Sequence, residues 1–233
     1  MRPARIAIYT LTRERLEYTQ RSFALLKQMA GVEYDHYVVD NGSKDGTREW
    51  LMENAEQFKH LTLFSENKGI SQGSNSALYA IFAEEEITMR RYDLIIKMDN
   101  DCEVATVGLL SKICHLYEAL GEEWDKYVLS PRVEGINSQP SRIKELPNEI
   151  GQTAIIGGLF HIVPGSVYHR YGSYPLDVPK AKGQDDDFCA WVNKQGMVVG
   201  YIENLLVKHM DTTDGQCQKF PEYFKRKWDE EKL

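Results

Sequence analysis

The chain has 233 residues and a mass of 26.8 kDa, enough for one large domain or two small ones. Hydrophobic residues make up 42% of it, mean hydropathy is −0.47, and no window approaches the ~18 consecutive apolar residues of a membrane helix, which argues against an integral membrane protein. The formal charge is 28 − 35 = −7, so duplex nucleic acid is a poor partner, and an anionic substrate needs a metal or a few placed cations.

Residues 5–10 (RIAIYT) read as a short buried strand. Residues 13–30 carry Leu16, Phe23, Leu26 and Met29 at close to helical spacing. A second strand, 34–40, ends in Asn41-Gly42, a strong turn signal. Residues 45–58 are helical in pattern, with Trp50 and Leu51 inward. Residues 61–65 form a third strand, and 71–86 a helix with Ser71 as its N-cap. Residues 92–98 (YDLIIKM) are a fourth strand, stopped by Asp99-Asn100-Asp101. A helix over 106–120 and a strand over 128–131 follow. Strands separated by 10–15-residue helical patterns imply βαβ units and a mostly parallel sheet. In such sheets ligands sit outside the carboxyl ends of the strands, which draws attention to Thr10, Asp40, Asn67, Asp99 and Asp101.

The second half loses this rhythm. Residues 134–151 are polar, carry Pro140 and Pro147, and read as a loop or lid. Residues 157–163 (GGLFHIV) are a strand, and 171–183 look irregular. Residues 185–195 are helical with Gly196 as C-cap, and 197–202 are another strand. In the tail, Phe220, Tyr223, Phe224 and Trp228 recur at helical spacing, which suits a helix packed on the core; an acceptor platform, a subunit contact or a membrane-surface face is the competing reading. With no repeat and no linker, the expectation is one domain over 1–233: a nucleotide-binding half (1–131), an acceptor and catalytic half (132–210) and a helical tail (211–233). Cys102, Cys114, Cys189 and Cys217 form no CxxC pair and read as free thiols. The segment 1–5 lacks the features of a signal peptide, and together these give an expectation of cytoplasmic residence. Asn41-Gly42-Ser43 fits a glycosylation sequon but is read as a turn.

Five features carry chemistry. Asp99 and Asp101, one residue apart at a strand end, can share a divalent cation with waters and substrate phosphates. An isolated pair of this kind is also what a solvated acidic turn looks like; its place after the fourth strand favours the metal reading. Asp40 can accept from a ribose hydroxyl or a base N–H, with Asp45 or Thr47 capping the helix that follows. Residues 67–75 (NKGISQGSN) run into a helix N-terminus, where backbone N–H groups favour anions, but show neither GxGxxG nor GxxxxGK[ST]. Three aspartates, 185–187, open a helix; one can serve as a general base, although acidic residues there also simply complement the helix dipole. His209 follows an apolar strand and can reach a metal held by Asp101.

The segments YTLTRERLEYTQRSFALL, VVDNGSKDGTREWL, NKGISQGSNSAL and YDLIIKMDND, followed by GGLFHIV, GQDDDF and LVKHM, resemble family 2 glycosyltransferases with the GT-A fold, in order and spacing, over about residues 5–210. The resemblance implies a Rossmann-like α/β domain and an inverting transfer of a sugar from a nucleotide-diphosphate donor, with UDP the favoured nucleotide and Mn2+ or Mg2+ as cofactor. It implies that Asp40 contacts the base or ribose, that Thr10 and Leu11 form the wall of the nucleotide pocket, and that Asn67 and Gly69 lie beside it. Asp99 and Asp101 match the DxD motif, Asp101 the more direct metal ligand; His209 matches a metal-ligand histidine, and Asp185 the catalytic base. Gln184 stands where that family usually has Glu, which puts in doubt the contact the Glu makes. Arg142, Lys144, Lys180 and Lys182 lie in loops near the expected mouth, where they can touch phosphates. The acceptor, sugar and oligomeric state are not legible. A non-catalytic sugar-nucleotide-binding or scaffold protein on the same fold is the alternative. A sugar-phosphate nucleotidyltransferase is disfavoured, because residues 11–15 have no glycine to cradle a triphosphate.

Overall fold

The computed structural model describes residues 4–135, 141–176, 184–211 and 213–230, the side chains of 213 and 228–230 excepted. Pro140, Lys180 and Lys182, named above, lie outside the described residues, as does the side chain of Trp228.

The elements in chain order are β1 (Ile6–Thr12), α1 (Leu16–Met29), β2 (Asp35–Asp40), α2 (Thr47–Glu53), β3 (His60–Leu63), α3 (Ile70–Thr88), β4 (Leu94–Met98), β5 (Cys102–Val104), α4 (Leu109–Ala119), β6 (Tyr127–Glu134), β7 (Lys144–Leu146), β8 (Ile150–Gln152), β9 (Phe160–Pro164), α5 (Gly165–Tyr171), α6 (Gln184–Lys194), β10 (Val198–His209), α7 (Thr213–Lys219) and α8 (Pro221–Glu230). They build one ten-stranded sheet in the order β3-β2-β1-β4-β9-β6-β10-β8-β7, with β5 paired to β10. β3, β2, β1 and β4 are mutually parallel, β9 runs against β4 and β6, and β10 is parallel to β6. Of the seven strands from β3 to β10 in that order, only β9 is reversed, so the expected mostly parallel α/β sheet is present. Chain order turns back at β1, whose neighbours are β2 and β4. A crevice opens at such a switch point beyond the carboxyl ends of the strands.

Strands buried on both faces need continuous apolar runs. β4 (LIIKM) is buried at all five positions, and β1 at all but Leu11, which is half-buried. Lys97 is therefore a charged side chain inside an otherwise apolar strand. Leu26 on α1, Leu51 on α2, Leu78 and Ile81 on α3, and Phe188 and Val192 on α6 are buried with the strands in a single core.

Several elements differ from expectation. Helix α1 starts at Leu16 rather than 13, because Glu14 and Arg15 both have left-handed backbones (φ 55° and 58°). Gly69, not Ser71, is the N-cap of α3. The expected long helix after β2 is α2 plus a short 3-10 turn at Ala55–Gln57. Helix α5 lies between the expected strand over 157–163 and the stretch over 171–183, where no element was expected, and the expected loop over 134–151 contains most of the β7–β8 hairpin, which extends the sheet through β8–β10 pairing. β10 runs on to His209 past an irregularity between Ile202 and Leu206, where Glu203 and Asn204 interrupt the apolar run. The four cysteines are unpaired, as expected. No helix among the described residues is long and apolar enough to cross a membrane.

Candidate active site

Three chain segments meet at the carboxyl edge of β1 and β4: the loop 13–15, the turn 99–101, and residues 209–226. Asp101 is their meeting point. Arg15 Nη1 lies 2.7 Å from Asp101 Oδ2, with the two side chains only 10% and 8% exposed. The same guanidinium donates to Gln216 Oε1 (2.8 Å) and Asn100 Oδ1 (2.8 Å) and lies over the Tyr223 ring, 4.8 Å from its centre. Gln216 Nε2 donates to Asp101 Oδ2 (3.2 Å) and to the Met210 carbonyl (2.7 Å). Burial alone raises the Asp101 carboxyl, but Arg15, His209 and Gln216 outweigh it and hold it below the usual carboxylate range.

His209 sits 3.4 Å from Asp101 Oδ2 through Nε2. Its Nδ1 faces both an acceptor, the Asp211 carbonyl at 2.9 Å, and a donor, Gln216 Nε2 at 3.3 Å. An imidazole nitrogen and a carboxylate oxygen this close are donor types that a divalent cation can share, and contacts on the far nitrogen of the ring orient it. Asp99 is 40% exposed. Its carboxyl is pushed up to about 6, first by its recessed setting and then by Asp101 and Asp185, with Lys97 and His209 pulling the other way. Crowded carboxylates with an imidazole beside them fit a hard divalent cation. As they stand, no three such groups among the described residues are drawn into a closed ligand set.

The second cluster centres on Asp185, in the first turn of α6. Lys97 Nζ lies 3.1 Å from Asp185 Oδ1 and 3.6 Å from Asp99 Oδ1. His161, fully buried on β9, has its Nδ1 3.9 Å from Asp185 Oδ1 without a hydrogen-bond partner, while Nε2 donates to the Ile156 carbonyl (3.3 Å). Burial works to raise Asp185, but Lys97, and after it His161, hold the carboxyl below its ordinary value. Gly158 makes room for the cluster: a Cβ there would stand 2.1 Å from Asp185 Oδ2 and 2.6 Å from Lys97 Nζ.

The remaining expected residues lie around the end of β2. Asp40 is fully buried and its carboxylate is taken up within the turn: Thr12 Oγ1 donates to Oδ1 (3.0 Å), Ser43 N to Oδ2 (3.0 Å) and Ser43 Oγ to Oδ1. These contacts fix the carboxylate at the carboxyl end of β2. Asn41 links that turn to the next loop, donating to the Gly69 carbonyl (3.2 Å) and accepting from Lys68 N (2.8 Å). Gly42 (φ 77°) is needed where the two loops touch, since a Cβ would meet the Glu66 backbone at 2.6 Å. Asn67 Oδ1 accepts from Gly69 N (3.0 Å), and Leu11 packs against Gly73 in the first turns of α3. Thr10 stays inside the sheet, its hydroxyl 3.1 Å from His36 Nε2, because β1 continues to Thr12; Thr12 takes the place at the edge expected of Thr10. Asp45 caps two helices, accepting from Leu16 N (3.0 Å) at α1 and from Thr47 N (3.1 Å) at α2. Arg142 is paired with Glu203 (2.6 Å), and Lys144 lies on β7.

Sequence reasoning missed Arg15, Lys97, Asn100, His161 and Gln216. Lys97 alone carried a signal, as the charge inside an apolar strand.

The model of the family described as "Glycosyl transferase family 2" matches residues 7–170. Among solved structures, the chain is similar to the mannosyltransferase PcManGT from Pyrobaculum calidifontis in complex with GDP-Man and Mn2+ (15% identity, TM-score 0.64, covering 97% of this chain and 64% of that one). It is also similar to GalNAc-T7 with UDP, GalNAc and Mn2+ (11%, TM-score 0.68, 88% and 44%). A third is S. aureus TarS 1-349 in complex with UDP-GlcNAc (12%, TM-score 0.65, 88% and 60%). The likeness to all three is one of fold, and the chain spans 44% to 64% of their lengths. No curated protein matches the chain.

Proposed function

Since the chain belongs to glycosyl transferase family 2 and has the GT-A fold, we propose that it moves a sugar from a nucleotide-diphosphate donor to an acceptor hydroxyl with inversion at the anomeric carbon. The observation that carries this reading is the convergence of Asp99, Asp101 and Asp185, from two segments far apart in sequence, on one edge of the sheet, with Lys97 between Asp99 and Asp185. A diphosphate approaching such an edge is repelled, by about 4 kcal/mol for a like-charge pair at ~4 Å and an effective dielectric near 20.

Asp99, Asp101 and His209 are the residues that would hold Mn2+ or Mg2+. When bound, that cation neutralises the diphosphate and stabilises the charge growing on the leaving group. Leu11, Asn67 and Gly69, with the first turn of α3, form the donor side, and Asp40, at the end of β2, is the residue that contacts the base or ribose. Asp185 removes the proton of the acceptor hydroxyl as its oxygen attacks the anomeric carbon opposite the leaving diphosphate. Attack and departure on opposite faces invert the centre without a covalent sugar–enzyme intermediate. Like any ordinary aspartate, Asp185 is ionised at neutral pH, and Lys97 favours that form further. UDP is favoured as the nucleotide, in keeping with the UDP or UDP-GlcNAc found in two of the three similar structures.

Calorimetric titration of UDP, GDP and dTDP, with and without Mn2+, tests the donor site. The expected result is Mn2+-dependent binding of UDP that is lost in Asp101→Ala. Absence of binding by all three nucleotides would refute the reading. Asp185→Asn should keep nucleotide binding and lose turnover, whereas a pure sugar-nucleotide binder would lose nothing measurable.

A further inference from the structure

Lys97 is the one charged side chain in β4, and only 6% of it is exposed. A buried ammonium is retained only when it is paired. Across the sheet, Lys97 stands in register with Tyr9 on β1 and His161 on β9, so the three line up on the same face beneath Asp185. The titratable groups around its ammonium are Asp185 at 3.1 Å, Asp99 at 3.6 Å, and its two cross-strand neighbours Tyr9 and His161. Asp185 belongs to a helix that starts 87 residues after Lys97, and Gly158 leaves the opening through which the two side chains meet. A lysine whose only task was to neutralise one buried carboxylate would not need to lie between two, one of them on the metal-and-donor side and the other on the acceptor side.

We propose that Lys97 is a positioning residue: it pins the Asp185 carboxylate and sets it relative to Asp99, fixing the base against the donor-binding carboxylates. This rests on the reading of Asp185 as the base. Without the ammonium, the Asp99 and Asp185 carboxylates are left to repel each other. A misplacement of about 1 Å at a reacting group can lower the rate on the order of a hundredfold.

The test compares the unmodified chain with Lys97→Met and Lys97→Arg in three measurements. Crystal structures at one pH should show the Asp185 carboxylate displaced or split in Lys97→Met. Calorimetry should show UDP binding with Mn2+ within about threefold of the unmodified chain. Turnover is read as UDP released from whichever of UDP-Glc, UDP-Gal and UDP-GlcNAc the unmodified chain consumes fastest. It should fall about a hundredfold in kcat, with donor KM little changed and Lys97→Arg intermediate. Adding Lys97→Met to Asp185→Asn should cause no further loss, because Lys97 acts through Asp185. An unmoved Asp185, an unchanged kcat, or a loss that merely follows UDP affinity overturns the proposal. Should Lys97→Met not fold, Lys97→Arg decides by the same criteria. Undiminished turnover in Asp185→Asn would instead refute the base reading, and that outcome is visible separately.

Discussion

Removing either charge of the Arg15–Asp101 pair alone is costly. Breaking a buried pair strands the other charge and costs about 3–5 kcal/mol. Arg15→Met should therefore lower Tm by roughly 10 °C, at 2–4 °C per kcal/mol for a chain of this size. Mn2+ should raise the Tm of this variant more than that of the unmodified chain, since a bound cation supplies the missing charge; equal Mn2+ effects in a thermal scan would count against metal binding at Asp101. Gly158→Ala tests the other cluster. Its Cβ would sit within 2.1 Å of Asp185 Oδ2, so turnover should drop about a hundredfold while UDP affinity holds. At this scale the carboxylates were legible, because acidic residues at strand and helix ends stand out in a linear pattern. Their partners were not. Arg15 reaches Gln216 across 201 positions, and no local pattern marks a pairing of that range.

Helices α7 and α8 pack on α1 and the loop 13–15. Phe220 meets the Tyr18 ring edge-on at 4.8 Å, Tyr223 lies under Arg15, Arg226 pairs with Glu14, and Tyr223 and Phe224 are buried. This favours the packed-helix reading of the aromatic tail. Deleting residues 218–233 removes at least two buried aromatic side chains, at ~1.5–3 kcal/mol each. The expected loss in Tm is roughly 10 °C, with Mn2+-dependent UDP affinity lowered less than tenfold; unchanged melting with abolished transfer would reverse the assignment. The packing of β2 against α1 makes a separate prediction. His36 is enclosed by Phe23, Tyr34 and Phe58, and burial pulls it down from 6.5 to about 3. The unfolded chain takes up this proton first, so the stability from neutral His36 is complete above pH 6.5. It is lost as pH falls towards 3, at about 1.4 kcal/mol per pH unit. Asp99, raised to about 6, has the opposite sign over much of that range, so the comparison must be between proteins. His36→Gln should flatten the fall in Tm between pH 6.5 and 5; parallel curves would show that His36 does not titrate this way. The long strands and helices were legible from their apolar periods. β5, β7 and β8 have three residues each, too few for any period to register, and α5 follows Pro164 without a capping side chain.

At the scale of the molecule, one sheet crosses both halves of the chain. β9 from the second half lies between β4 and β6, and β10 holds β5, β6 and β8 together. A division near residue 131 would cut β6 itself, so the two halves should not unfold separately. Far-UV and near-UV circular dichroism should report one coincident thermal transition; two resolved transitions would restore the division. The parallel, helix-flanked architecture was legible because βα alternation dictates it, whereas the reversed β9 and the late hairpin depend on pairings no single segment encodes. The order of synthesis gives Asp101 a further property. Its partner Gln216 is made 115 residues later, roughly 6 to 23 s at 5–20 residues per second. Until then the acidic edge faces the cell without the amide that closes over it. If the edge holds a cation as proposed, whether it is taken up before the tail docks is decided by a race during translation as much as by equilibrium affinity.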